Sequence, residues 1–294
     1  MAMYWAWLAL SGAARALPRR VSYALAKLVG QLAFVLWPRG RRAAVRNFRT
    51  VLGNSASESA VRKAARLSFV NYGRYLVDFG RFPAETAEEV AGLVTDDDGV
   101  FMRLAKLNAD GTGVVVAGMH FGNWDAGAAA ATQRGLPLSA VGESLGHHKL
   151  DDAIFGARER LGMEIIPMDG GGFGMYRALK HGRFLAIIVD RPTPGEGVPV
   201  QFFGRQTWVP DGAARMALRT GAHVVAAACY RKRPGKPEFA MWADFDVAMP
   251  GDPQSEDAPR ELMQAIFTAH ERIIRRRPAQ WYMFRHMWPQ ASGE

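Results

Sequence analysis

Apolar and polar positions along the chain follow two alternating periods, and the changes of period divide it into elements. Short apolar runs rich in β-branched or aromatic residues, at 114–116, 138–142, 163–168, 183–189, 198–203, 222–230 and 239–247, read as strands, the last of them an outer one. Helical spacing occupies 100–108, 126–132, 149–161, 175–180, 211–220 and 257–277. Upstream, Val61, Ala65, Phe69, Tyr72, Leu76 and Phe79 share one stripe of a longer helix, with Arg62, Lys63 and Arg66 on the other. Ser55-Ala56-Ser57-Glu58 reads as its capping box, and it ends before Pro83. Gly111, Gly162 and Gly221 read as helix stops. Asp96-Asp97-Asp98-Gly99 reads as a solvated turn, and residues 191–197 as a loop. Glycines 170–172 precede a helix but lack phosphate-loop spacing, so they read as a flexible turn. The alternation predicts an α/β fold: a single domain with a central mixed, mostly parallel sheet covered by helices.

Composition is compatible with one large core, since the chain has 294 residues and is 49% hydrophobic. The one cysteine, Cys229, excludes an intramolecular disulfide framework and sits in an apolar run, as core packing. No C-x-x-C or H-E-x-x-H spacing points to a metal. His147 and His148 are adjacent, and adjacent side chains are expected to diverge, so no metal site is predicted.

The charge changes the picture more than the composition does. Of 37 Lys and Arg, nine (Arg15, Arg19, Arg20, Lys27, Arg39, Arg41, Arg42, Arg46, Arg49) precede Ser57, with no acid among them. The remaining 28 balance the 28 Asp and Glu, so the formal charge of +9 belongs to the amino-terminal stretch. The chain therefore divides into a basic apolar arm, 1–57, and an α/β domain, 58–294. The arm is read as retained rather than cleaved. A membrane span needs about 20 apolar residues. Residues 1–10 are too few, and Lys27 and Gln31 interrupt 21–37; a central Lys alone costs about 2.5–3.5 kcal/mol. The arm reads instead as interfacial helices on an anionic membrane surface. Tyr4, Trp5, Trp7 and Trp37 suit the headgroup boundary, and each basic residue adds roughly 1 kcal/mol of attraction. Buried helices with a solvated basic edge fit the same pattern and remain an alternative. No nucleic-acid module is present, so nucleic acid is not an expected partner.

The candidate chemistry lies in residues 113–132, GVVVAGMHFGNWDAGAAAAT. His120 stands at the exit of a buried strand, at the end of the sheet where α/β folds bind ligands. Asp125 follows five residues later. Positions i and i+5 do not share a helix face, so the turn must fold Asp125 back toward the ring, and Gly122 permits such a backbone. A cap at the start of the following helix is the structural alternative for Asp125.

His120-Phe121-Gly122-Asn123-Trp124-Asp125 resembles the H-x-x-x-x-D block of the glycerolipid acyltransferase superfamily. It is more narrowly similar to that of the bacterial lipid A biosynthesis and phosphatidylinositol mannoside acyltransferases. Val200-Gln201-Phe202-Phe203-Gly204 and Pro278-Ala279-Gln280-Trp281-Tyr282-Met283 resemble further blocks of that family, so the likeness spans nearly the whole chain. It implies a monomeric enzyme moving a fatty acyl chain from an acyl thioester, carried by CoA or a carrier protein, to a hydroxyl of a lipid acceptor. That enzyme would work peripherally on the cytoplasmic face of the membrane and without a cofactor. His120 would act as general base, Asp125 would orient its ring, and the acceptor hydroxyl would attack directly. Substrate-binding roles are implied for Glu143, Arg158, Glu196 and Asp190, with Arg160 competing for the place of Arg158. Ser144-Leu145 departs from the family's arginine after Glu143. The same His/Asp pair would serve a thioesterase or lipid esterase, and a non-enzymatic membrane-binding protein would need no such pair.

Overall fold

The computed structural model describes residues 2–288; Met1 and residues 289–294, the outer ends of the arm and of the domain, lie outside it. The chain begins with three helices, α1 (Ala2–Ala16), α2 (Arg19–Leu36) and α3 (Pro38–Leu52). The long helix α4 (Glu58–Arg81), the short α5 (Ala87–Ala91), strand β1 (Val94–Thr95) and α6 (Val100–Leu107) follow. The central alternation is β2 (Val114–Gly118), α7 (Trp124–Gln133), β3 (Leu138–Gly142), α8 (His148–Arg160), β4 (Glu164–Pro167), α9 (Gly172–Lys180) and β5 (Phe184–Ile188). The remainder is β6 (Val198–Phe202), β7 (Arg205–Val209), α10 (Gly212–Thr220), β8 (His223–Arg231), β9 (Phe239–Asp244) and α11 (Ala258–Arg276).

The main sheet has seven strands in the order β1-β9-β8-β2-β5-β3-β4. All neighbours pair in parallel except β8 and β9, which are antiparallel. This is the predicted mixed, mostly parallel α/β sheet. Its central strands are buried on both faces, which explains why β2 reads as an unbroken Val-Val-Val run rather than an alternation. The period of two is nevertheless used. Val115, Ala117, Leu185, Ile187, Val224 and Ala226 face a core closed by α9, α10 and α11. Val114, Phe184, Val225, Ala227 and Cys229 face a second core under α4, α6 and α7.

Three local expectations differ from what forms. The cap of α4 is Ser57, whose hydroxyl accepts from the Ala60 amide, rather than a Ser55/Glu58 box. Residues 198–203 belong to a separate two-stranded hairpin of β6 and β7 rather than to the main sheet. Its turn places Phe203 (φ 50°) and Gly204 (φ 73°) both in the left-handed region, the backbone of the tight turns that match strand twist. A phenylalanine there hides the turn from a composition reading, because such turns normally advertise themselves with Asn or Gly. Lastly, β9 is not the outer strand; the two-residue β1 pairs along it and forms the edge.

The arm packs as helices on α4. Ser22, Tyr23, Ala26, Gly30 and Phe34 of α2 are buried, while Leu25, Leu28, Val29, Leu32, Val35 and Leu36 on the opposite face stand exposed. One face of α2 is thus core and the other is bare. Among the described residues no single helix is long and apolar enough to cross a membrane, and α2 and α3 meet such a criterion only jointly, across a 95° bend.

His270 of α11 is fully buried behind β2, where its Nε2–H donates to the Ala117 carbonyl at 3.1 Å. Burial lowers its pKa below the ordinary imidazole value, so the unfolded chain takes up a proton that the folded chain refuses. The stability this contributes is complete above about pH 6.5 and is lost as pH falls. Urea midpoints measured between pH 8 and 5 should decline less steeply in His270→Gln, which keeps the donor and removes the titration.

Candidate active site

The site is built at the carboxyl ends of β2 and β5, which are parallel neighbours in register from Val114↔Phe184 to Gly118↔Ile188. His120 leaves β2 two residues past its end, and Asp190 leaves β5 at the same level. The backbone between His120 and α7 is pinned from three sides. The Gly122 amide donates to the Gln280 carbonyl at 2.9 Å, the Asn123 amide to the Cys229 carbonyl at 2.8 Å, and the Tyr282 amide to the His120 carbonyl at 2.8 Å. Gly122 has φ +62°, and a Cβ there would fall 1.9 Å from the Cys229 carbonyl oxygen. The glycine expected to fold the turn is therefore required twice over, by conformation and by contact.

The turn does not, however, fold Asp125 onto the histidine. The partner of His120 is Asp190: the ring Nδ1 lies 2.7 Å from Asp190 Oδ1. Asp190 is completely buried. Its other oxygen, Oδ2, accepts from the His120 backbone amide at 3.1 Å and from the Trp281 indole at 2.9 Å. Burial alone would raise the carboxyl pKa. The positive charge available at His120, the ring contact, the indole and the amide outweigh it and hold the group below the usual carboxylate range. Because an ionised carboxylate only accepts hydrogen bonds, it fixes the proton on Nδ1 and leaves the ring's lone pair on Nε2. The imidazole remains partly accessible, with 21% of its side-chain surface exposed. Asp190, expected to contact substrate, is instead sealed behind the ring.

Asp125 has different partners. It lies in the first turn of α7, where a carboxylate suits the helix dipole, but the cap is Asn123, whose Oδ1 accepts from the Ala126 amide at 3.1 Å. The Asp125 side chain is buried and accepts from Arg158 Nε at 2.7 Å and from the Tyr75 hydroxyl at 2.8 Å. Burial, followed by the Asp125 charge, pushes the Tyr75 hydroxyl well above its ordinary pKa. It stays a proton donor throughout the physiological range.

An apolar cavity of about 120 Å³ runs beneath α7 against the sheet, with Asp125 and Arg158 in its wall beside Trp124 and Gly118. Ala140, Phe184, Ala186, Ala227, Cys229 and Met241 line it farther along. Engineered apolar cavities of roughly 150 Å³ stay dry and take up hydrocarbon. Trp124 joins cavity to turn, since its indole lines the one and meets the His120 ring edge-on at 5.6 Å. Cys229 is buried in the wall, where burial raises its thiol pKa; this is the packing role expected of it.

Glu143, past the end of β3, forms an ion pair with Arg191 on the partly exposed rim. Glu196 is exposed in the 191–197 loop, where its carbonyl accepts from the Thr193 hydroxyl. The structure thus brings His120 and Asp190 into contact, and Asp125 and Arg158 into contact, and leaves Glu143 and Glu196 at the surface. His147 and His148, expected to diverge, stack with centroids 5.6 Å apart, because His147 is the extended cap residue and His148 starts the helix. Sequence reasoning gave no individual role to Tyr75, Asn123 or Trp281, although Asn123 stands in the His120–Asp125 block and Trp281 in the Pro278–Met283 block.

The candidate site is thus an imidazole with one nitrogen held by a buried carboxylate, near an apolar cavity at the end of the sheet where α/β folds bind ligands. The family model of bacterial lipid A biosynthesis acyltransferases matches residues 1–290, and the chain belongs to that family. It is 30% identical over 225 residues to the phosphatidylinositol mannoside acyltransferases of Mycobacterium tuberculosis strains CDC 1551 / Oshkosh and ATCC 25618 / H37Rv. Each alignment covers 75% of this chain and 69% of the relative. The Mycolicibacterium smegmatis protein of the same name is 29% identical over 231 residues, covering 76% and 71%. The protein is an acyltransferase of this family.

Replacing Arg158 with Met leaves the buried Asp125 carboxylate without its counter-charge. Such losses cost about 3–5 kcal/mol, to be read from the urea midpoint. Combining Arg158→Met with Asp125→Asn should recover part of that loss.

Proposed function

We propose that the protein transfers a fatty acyl chain from an acyl thioester to a hydroxyl of a glycolipid acceptor related to phosphatidylinositol mannoside, with His120 as general base. The observation that carries this reading is the 2.7 Å contact between His120 Nδ1 and the buried Asp190. That contact leaves the lone pair on Nε2, on a ring that is partly accessible. In this reading Asp190 takes the orienting role first assigned to Asp125. Asp125 instead holds Arg158 in the wall of the acyl cavity, with the Tyr75 hydroxyl as its second donor. The acceptor oxygen attacks the thioester carbonyl as His120 Nε2 takes its proton. The new C–O bond forms, the C–S bond breaks, and the proton passes from the imidazolium to the departing thiolate. Asp190 stabilises the imidazolium in between. CoA and carrier protein both present such a thioester.

His120→Ala and Asp190→Asn should each lower kcat by about 10²–10⁴-fold, followed as thiol release from palmitoyl-CoA in the presence of a mannosylated phosphatidylinositol. Near wild-type turnover by His120→Ala at unchanged Tm removes it as base. Equal thiol release with and without the lipid acceptor makes water the acceptor and favours hydrolysis.

The reading also places the protein peripherally on an anionic membrane surface such as the cytoplasmic leaflet, with the bare face of α2 in the interface. Leu25, Leu28, Leu32 and Val35 are about half exposed there, and Arg20, Lys27 and Arg39 belong to the same arm. Flotation with phosphatidylglycerol vesicles should show binding that weakens as salt rises and that Leu28→Glu/Leu32→Glu abolishes. Equal binding of that variant removes α2 from the interface.

A further inference from the structure

Beneath the His120 turn lies a second buried polar cluster that the acyl-transfer chemistry does not use. Asp78 of α4 is 1% exposed, Tyr23 of α2 is 3% exposed, and Arg231, the last residue of β8, is 6% exposed. The Tyr23 hydroxyl donates to Asp78 Oδ1. Arg231 donates to Asp78 Oδ2 at 2.6 Å and to the Tyr23 hydroxyl at 3.1 Å. The fourth member is Asn123, whose Nδ2 lies 3.5 Å from Asp78 Oδ2 while its Oδ1 caps α7. Arg231 is also bound through its backbone to the Gln280 side chain, at 2.8 Å from its amide and 2.9 Å to its carbonyl. The Gln280 carbonyl receives the Gly122 amide.

Two routes therefore lead from Tyr23 to the turn between His120 and α7: one through Asp78 to Asn123, the other through Arg231 and Gln280 to Gly122. Arg231 further lies over the Tyr23 ring at 4.9 Å. Tyr23 itself is on the inner face of the helix whose outer face is bare and apolar. A purely structural filling of this space would need no charge, since an ion pair taken out of water seldom stabilises more than apolar side chains of the same volume. What a fully bonded buried network supplies is a single geometry.

We propose that Tyr23, Asp78 and Arg231 are positioning residues that tie the seating of α2 to the orientation of the His120 turn, so that the arm sets the register of the base. This rests on the reading of His120 as base. Loosening the tie slows the chemical step while the acyl donor still binds, because the cavity lies on other residues. It also loosens the Gly122 amide, whose acceptor Gln280 belongs to the assembly, and the Asn123 amide, whose acceptor Cys229 lies two residues before Arg231 on β8.

The test compares Tyr23→Phe, which removes only the hydroxyl, with Val77→Ala, which loosens the small apolar contact among Val77, Tyr23, Ala14 and Ala26 and leaves the polar cluster whole. Both are assayed with palmitoyl-CoA and lipid acceptor on phosphatidylglycerol vesicles, beside wild type and His120→Ala. Tyr23→Phe is expected to lower kcat about tenfold with KM for the donor unchanged, and to speed hydrogen exchange at residues 122 and 123 about tenfold. Val77→Ala is expected to lower Tm while leaving kcat and that exchange at wild-type values. Wild-type kcat and exchange in Tyr23→Phe, or losses in the two variants that simply follow their Tm, overturn the proposal. Activity retained by His120→Ala instead overturns the assignment of the base, and the exchange measurement still decides whether the tie exists.

Discussion

The active end of this protein depends on one carboxylate out of reach of water. Asp190 gathers three N–H groups, from the His120 ring, the His120 backbone and the Trp281 indole, and each belongs to a different constraint on the same histidine. The ring contact fixes the tautomer, the backbone contact fixes where the chain leaves β2, and the indole brings the carboxyl-terminal tail across both. An unpaired charge at that depth would be very costly, so the three donors and the carboxylate hold each other in place. The parallel register of β2 and β5 makes the arrangement possible, because it delivers residues 120 and 190 to the same height.

The same register organises the rest by sides. Even-numbered positions of β2 face the core that holds the cavity, and odd-numbered ones face α11. The imidazole stands at the lip between the two. Apolar contents are kept under α7, and the polar clusters stand at the carboxyl ends of the strands, where the backbone has left the sheet and needs partners. The candidate site thus occupies the position that open α/β sheets leave vacant for a ligand.

The residues disclosed the parts that depend on local pattern. The alternation of short apolar runs with helical spacing fixed the α/β class, and 138–142 coincides with β3. The turn at Gly122 was legible because only glycine meets both of its demands. What stayed hidden depends on contacts between distant segments. Asp125 is five residues from His120 and Asp190 is seventy away, yet the ring pairs with the far one, since strand register rather than sequence spacing sets which carboxylate arrives. Asp190 entered only as a substrate-binding acid implied by the family resemblance. Tyr75 and Asn123 showed no role, because Tyr75 lies off the apolar stripe read for its helix and an asparagine before a helix has an ordinary reason to be there. The β6–β7 hairpin escaped because Phe203 holds a backbone that glycine or asparagine usually signals.

The borders of the main sheet show another side of the design. One flank closes on β1, two residues long, and the other on β4, four residues ending in Pro167. Flanks this brief offer few unpaired amides and carbonyls for a stray chain to zip onto. The hydrophobic strip along α2 is accordingly a stickiness of side chains alone, which a lipid layer or a detergent micelle can mask completely. Handling the protein in solution should therefore depend largely on shielding that helix face.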